Sequence, residues 1–435
     1  MQKLLLLGIV FFISASLAFT QMRRDTSGYY QEIAISTEGQ SSAHAVEDDF
    51  DTLLKRAEAN DIDAQLLLAH KYNGGIDVEK NPLEAVKWFQ KAAKLKNTEA
   101  QLQLALIYDA GGGVRQDYKE AKKWYTSAAK QKDAQAQNNL GCLYLDGKGV
   151  KQNYKTAKKW FEGAAKKNNS NALVNLGALY ANGQGTKPDY KKALSYFEAS
   201  ASQNNMDAFN WLGVMYSGGI GIMQDNAKAF EYFETAANHG HAVAQYNLGI
   251  MYKNGTNVEQ NLEKAIECFT LSAQQGYIPA LFYLGAAYQA GVAVEQNPMR
   301  AVEYYETAAE GGNIDAQYNL ANMYELGLGI NIDYAKAAQW YETAAKQGDA
   351  GAQMNIGKLY YTGQGVPQDY KTAYQWFEMA AAQDVAEAKY NLGMMNLKGQ
   401  SVKENYAKAL SFLKEAAADG DESALTTLKN LGESL

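Results

Sequence analysis

The stretch from Ala136 to Ala165 reads AQNNLGCLYLDGKGVKQNYKTAKKWFEGAA. Its first alanine is one of eleven in register, each 36 residues from the next: Ala64, Ala100, Ala136, Ala172, Ala208, Ala244, Ala280, Ala316, Ala352, Ala388 and Ala424. No insertion breaks the spacing. A fixed period of this size marks a stack of repeated supersecondary units. Each such unit touches only its neighbours, so the period predicts one continuous solenoid along the 435 residues. Function is then to be sought on a surface made by stacking, not in a single deep pocket.

Each repeat reads as two helices. From Ala316, the residues Leu320, Met323 and Tyr324 follow at i+4, i+7 and i+8, one face of a helix. Ala321 occupies a slot that is Gly or Ala in all ten repeats, which predicts a close approach by another helix. Gly327 has a glycine counterpart in every repeat and predicts a left-handed helix end. Asp333 has only Asp or Asn as counterparts, the best N-caps for a second helix. Pro82 and Pro298 stand at its first position, where proline is tolerated. Ala337, Trp340, Tyr341, Ala344 and Ala345 form its apolar stripe, and Gly348 and its counterparts mark the turn to the next repeat. The spacing therefore predicts an all-α fold: an α/α superhelical solenoid of ten 36-residue helix-turn-helix repeats with half-repeat caps.

The ends differ from the repeats. Lys3, the apolar run Leu4 to Ile13 and then Ser14-Ala15-Ser16-Leu17-Ala18 have the layout of a signal peptide. Cleavage after Ala18 leaves Phe19 as the new start; an uncleaved membrane anchor is the alternative. The expected organisation is signal peptide 1–18, polar flexible leader 19–45, N-terminal capping helix 46–63, ten repeats 64–423 and C-terminal capping helix 424–435. The N-terminal cap carries Phe50, Leu53, Leu54 and Ala57; in the C-terminal cap Lys429 replaces the small inner residue, as a face turned to water requires. No other stretch is apolar enough to span a membrane, so no integral span is expected after signal cleavage.

These residues resemble the Sel-1-like repeat (SLR) family, relatives of the tetratricopeptide repeats. Asn139, Leu140, Gly141, Tyr144, Gly147, Gly149, Val150, Tyr154, Ala157, Trp160, Phe161, Ala164 and Ala165 fit the family pattern, and Asn153 stands where Asp is commoner. Asn396 replaces the first-helix Tyr in the last repeat and Cys268 replaces an aromatic in the sixth; both are expected to weaken packing locally. The resemblance implies a superhelix whose concave face binds proteins or peptides, and a scaffold or adaptor role. Exported bacterial members are linked to host-cell entry, and a eukaryotic branch works in the endoplasmic reticulum lumen.

The charge balance of −7 is mild and mixed, with no basic stripe for nucleic acid. Two cysteines make neither a disulfide framework nor a metal cluster, and Cys142 and Cys268 are expected to stay unpaired. The glycines of Gly141 to Gly149 are explained by the repeat rather than by a phosphate loop, since spacing and the Ser/Thr are wrong. Ser127-Ala128-Ala129-Lys130 and Ser411-Phe412-Leu413-Lys414 fit Ser-x-x-Lys, but its partner motifs are missing. A cysteine-rich secreted branch of the family is associated with β-lactam binding, yet its regular disulfides are absent here. His239 and His241 flank Gly240 without supporting ligands, so no metal and no cofactor are expected. Asn168-Asn169-Ser170 and Asn254-Gly255-Thr256 fit the glycosylation pattern, relevant only in a eukaryotic secretory pathway.

Five tryptophans share one structural slot of the second helix: Trp88, Trp124, Trp160, Trp340 and Trp376. Trp211 stands apart, where most repeats have Asn. Two residues after the leading alanine come Tyr246, Phe282, Tyr318, Met354 and Tyr390, whereas earlier repeats have Leu66, Leu102, Asn138, Val174 and Asn210. Trp211 and this stripe are the candidate ligand-binding residues of the concave face; packing against the preceding repeat is the alternative. The sequence thus reads as a non-enzymatic scaffold that binds a protein or peptide ligand outside the bacterial cytoplasm, periplasmic or secreted. A peptidoglycan- or polysaccharide-handling envelope scaffold, with cell-wall glycan as partner, is the second reading, and a penicillin-interacting hydrolase the weak third.

Overall fold

The computed structural model describes residues 49–434. The expected signal peptide and leader lie outside them, as do residues 46–48 of the N-terminal cap. Among the described residues there are 22 helices and no strand. They fall into two compact units, one ending at His241 and the other beginning at Ala242.

In the first unit, α1 (Phe50–Glu58) precedes five helix pairs. These are α2 (Ile62–Gly74) with α3 (Pro82–Lys94), α4 (Thr98–Ala110) with α5 (Tyr118–Lys130), α6 (Ala134–Asp146) with α7 (Tyr154–Ala165), α8 (Ser170–Asn182) with α9 (Tyr190–Ala201), and α10 (Met206–Gly218) with α11 (Asn226–Asn238). The second unit has α12 (Ala242–Asn254) with α13 (Leu262–Gln274), α14 (Ile278–Ala290) with α15 (Pro298–Glu310), α16 (Ile314–Leu326) with α17 (Tyr334–Lys346), α18 (Ala350–Thr362) with α19 (Tyr370–Ala381), and α20 (Ala386–Lys398) with α21 (Tyr406–Ala418). It closes with α22 (Glu422–Asn430). Within each unit, every first helix packs on its own second helix and, after the unit's first pair, on the second helix before it.

The first helices begin two residues ahead of the leading alanine. Asn313 accepts the backbone N–H of Ala316 at 2.7 Å, and Asp61, Asn97, Asp133, Asn169, Asn205 and Asp349 do the same for their alanines. The alanine is thus the third helical residue, held by a cap and buried. Tyr277 and Val385 fill the cap position without a side-chain bond. The glycine ending each first helix in the left-handed region is as expected, with Gly327 at φ 69°. Six repeats carry a second glycine two residues on, where Asp77, Asn257, Ala293 and Ser401 stand in the other four. At Gly149 a Cβ would lie 2.7 Å from the backbone of Tyr118, so this loop approaches the preceding pair too closely for a side chain.

All ten second helices carry the expected Asp or Asn cap. The cap's own N–H closes the loop, as from Asp333 to the Tyr324 carbonyl at 2.9 Å. The small-residue slot proves to lie under an aromatic ring of the same repeat. A Cβ on Gly141 would sit 2.5 Å from the Phe161 ring, and one on Gly285 2.7 Å from Tyr305. These rings are the fully buried centre of eight pairs: Phe89, Tyr125, Phe161, Phe197, Phe269, Tyr305, Tyr341 and Phe377; Phe233 and Leu413 take the position in the other two. Truncating one to Ala costs about 3–5 kcal/mol.

A buried glutamine after the leading alanine ties successive pairs together. Gln317 donates to the Ala309 carbonyl of the preceding second helix at 3.1 Å and accepts from Gln347 of its own second helix at 2.7 Å. Gln101 and Gln353 make the same two bonds. In the last repeat Lys389 takes the place, between Asp384 at 2.9 Å and Asp419 at 2.6 Å.

The two departures from the repeat pattern have different surroundings. Asn396 is buried yet donates to the Tyr374 hydroxyl at 3.2 Å and the Leu392 carbonyl at 2.8 Å, so no polar group is stranded. Cys268 is half-buried, and burial pushes its thiol up to about 11. Both cysteines are free. At the ends, α1 buries Leu53 and Ala57, while α22 buries Ala424 and Leu428 and leaves Lys429 exposed.

Candidate functional site

Helix α16 shows which first-helix positions stay open. Ala316, Gln317, Leu320, Ala321, Met323 and Tyr324 are buried; Asp315, Tyr318, Asn319, Asn322 and Glu325 face outward at helical spacing. The position two after the alanine is at the edge of this open face, and the position three after is on it.

The candidate aromatics occupy that edge in a regular way. In the second unit three of them pack on the buried ring of their own second helix, and Tyr390 packs on the cluster around Leu413. Tyr246 lies 5.4 Å from Phe269, Phe282 5.9 Å from Tyr305, and Tyr318 5.7 Å from Tyr341, centroid to centroid. The packing partner is therefore the same repeat, not the preceding one. Tyr246, Phe282, Tyr318 and Tyr390 remain half-buried, with part of each side chain open. Burial raises the Tyr246 hydroxyl to about 12. Met354 differs: at 3% exposure it belongs to the core beneath the face. In the first unit Trp211 is 7% exposed and stacks on Phe197 of the preceding pair, with 5.2 Å between ring centres and 7° between planes. Those two side chains are covered by the protein itself, which leaves four of the candidates available to a partner.

Sequence reasoning overlooked Tyr283. Like Trp211 it replaces the asparagine three after the alanine, and its ring lies 4.3 Å from Phe269 of the preceding pair. The signal was the same broken pattern that singled out Trp211. It also missed a polar extension of the core. Where the buried ring is a tyrosine, its hydroxyl donates to the polar residue sixteen positions earlier: to buried Asp109 from Tyr125 at 2.9 Å, and to half-open Gln289 from Tyr305 at 2.8 Å and Glu325 from Tyr341 at 2.7 Å. Burial, then the bond to Glu325, raises the Tyr341 hydroxyl far above its usual value. The first unit's open face is amide-rich, with Asn175 donating to Asn138 at 3.0 Å and to the Cys142 sulfur at 3.7 Å. Burial pushes that thiol up to about 12, so it is a poor nucleophile.

The other motifs have structural partners. Ser127 donates to the Lys123 carbonyl at 3.1 Å, and Ser411 to Glu415 at 3.1 Å. Gly147 caps the C-terminus of α6, the wrong end of a helix for a phosphate. His239 contacts the Thr235 carbonyl at 2.8 Å and His241 contacts Asp207 at 3.0 Å. Among the described residues no helix is long and apolar enough to cross a membrane.

The Sel1 repeat profile matches ten consecutive segments, from residues 62–97 to 386–421. Among solved structures, a protective antigen, c5321, present in uropathogenic Escherichia coli strains and displaying an SLR fold is 35% identical. The match covers 88% of this chain and 83% of that one, with a TM-score of 0.60. A Sel1 repeat protein from Oxalobacter formigenes is 31% identical over 58% of this chain and 100% of its own, with a TM-score of 0.52. The comparison with curated proteins found no match. Ten matched repeats, each folded as a helix pair with a capped second helix, place the chain in the Sel1 repeat family.

Proposed function

We propose that this chain is an exported, non-catalytic scaffold that holds protein segments against the open face of its first helices. The observation that carries the reading is the row of Tyr246, Phe282, Tyr318 and Tyr390. Three of these rings are fixed from below by a core ring and all four are half-open above, the arrangement of a preorganised anchor. Family membership supports a scaffold, because Sel1 repeat proteins are generally protein-interaction scaffolds. The hydroxyls of Ser127 and Ser411 are engaged within their own helices, which favours a non-catalytic role.

Export rests on the signal-peptide layout of residues 1–18, and the similar chain described as a protective antigen supports it. The reading is of a mature chain starting at Phe19, with the leader to residue 45, the caps and ten repeats between.

The test is the double variant Tyr318→Ser and Tyr390→Ser in the mature chain. Partner proteins are captured from the envelope and medium fractions, and affinity is measured per folded molecule. The expected result is a loss of at least about tenfold in affinity, with a cooperative unfolding transition retained. Unchanged affinity per folded molecule contradicts the proposal.

A further inference from the structure

Lys253 lies on α12, nine residues after the leading Ala244, the same repeat position that Glu325 takes on the open face of α16. It is half-buried, with its ammonium 4.8 Å from the centre of the Tyr283 ring. That ring lies tilted against Phe269, 4.3 Å between centres, and Tyr246 flanks Phe269 at 5.4 Å. The three aromatic rings and the cation therefore form one cluster on α12, α13 and α14.

Lys253 has no carboxylate partner among the described residues, whereas Lys358 and Lys389 on other first helices of the second unit do. Lys358 pairs with Glu387 at 2.5 Å, and Lys389 is held between two aspartates. Burial alone lowers the Lys253 pKa from lysine's usual value. A leucine or methionine would cover Tyr283 as well, without half-burying an unpaired charge. The lysine is costly as packing and useful only if an anion completes the pair.

We infer that Lys253, Tyr246 and Tyr283 form a subsite for an acidic protein segment, in which an Asp or Glu side chain pairs with Lys253 and a neighbouring apolar side chain packs on the tyrosines. The inference rests on the reading of the first-helix face as the partner-binding surface. Charge complementarity selects the occupant: an ammonium backed by ring faces takes a carboxylate and rejects a basic segment.

The test is selection of a phage-displayed random dodecapeptide library on the mature wild-type chain and on Lys253→Gln. Wild type should enrich peptides with Asp or Glu beside Tyr, Phe or Leu. Those peptides, resynthesised, should bind Lys253→Gln at least about tenfold more weakly, while Lys253→Arg keeps most of the affinity and both variants melt as wild type does. Absence of enrichment, or peptides without an acidic excess, overturns the inference. So does an acidic excess that survives in Lys253→Gln. If such peptides depend on Tyr318 and Tyr390 but not on Lys253, the subsite fails and the scaffold reading stands. If polygalacturonate fragments bind through Lys253 and no peptide is enriched, both fail.

Discussion

Lys132 has a φ of 67° and Lys96 one of 66°, in the turn where Gly276, Gly312 and Gly348 carry the same left-handed angle. A residue with a Cβ pays about 1–2 kcal/mol there, against a smaller entropic cost for glycine in the unfolded chain. Lys132→Gly should therefore raise stability by about 0.5–1 kcal/mol, measured by urea unfolding; a loss of stability would mean that the lysine side chain has a role at this turn. The Asp caps make a pH prediction. Hydrogen bonds from the Lys192 backbone and side chain hold Asp189 below its usual value, and those from Thr372 do so for Asp369. Both folded-state pKa values are depressed, so their contribution is present above pH 3.8 and is lost as pH falls through the lower folded values. Asp189→Asn with Asp369→Asn should leave neutral stability nearly unchanged, since five second-helix caps are already Asn, and should flatten the loss below pH 4 in acid unfolding curves. An unaltered acid limb would show that these caps do not govern it. Caps and helix-ending glycines were legible in the sequence because each depends on a local backbone angle or one side-chain oxygen. The sequence assigned Gly149 to the repeat pattern but not its physical reason, because the constraint comes from Tyr118 in the preceding repeat.

At the scale of elements, the buried glutamines join one helix pair to the next. Gln317→Ala should cost about 2–4 kcal/mol, because a cavity opens and Gln347 loses its acceptor. A loss below 1 kcal/mol in urea unfolding would deny the glutamine this role. Gln137 carries the reverse case. Its amide donates to Ala129, but its buried carbonyl oxygen has no partner, since Lys167 stands where Gln131, Gln275, Gln347 and Gln383 donate in other pairs. Lys167→Gln supplies that donor and should stabilise by about 1 kcal/mol. The repeated glutamine could be seen in the sequence, but its meaning could not: both partners come from other helices. The same limit applies to the aromatic stripe. Its period identified an edge of the first helix, yet only packing separates half-open Tyr318 from covered Met354 and Trp211. Lys253 carried no sequence signal, because its neighbour Tyr283 belongs to the next repeat.

At the scale of the molecule, the repeat period settled the all-α fold and the number of pairs, because each unit buries a large apolar side chain at the same position. It did not settle the binding surface, which depends on the few positions where repeats differ. The central claim is that partners dock on the first-helix face. Site-specific photocrosslinking measures this directly in the producing cell. Benzoylphenylalanine at Asn319 and Asn355 probes the open first-helix face of the second unit; the same probe at Gln339 and Gln375 samples exposed second-helix positions of the same repeats. The account predicts discrete crosslinked protein species from Asn319 and Asn355 and none from Gln339 and Gln375. Crosslinks from the second-helix positions alone, or from none of the four, would contradict it.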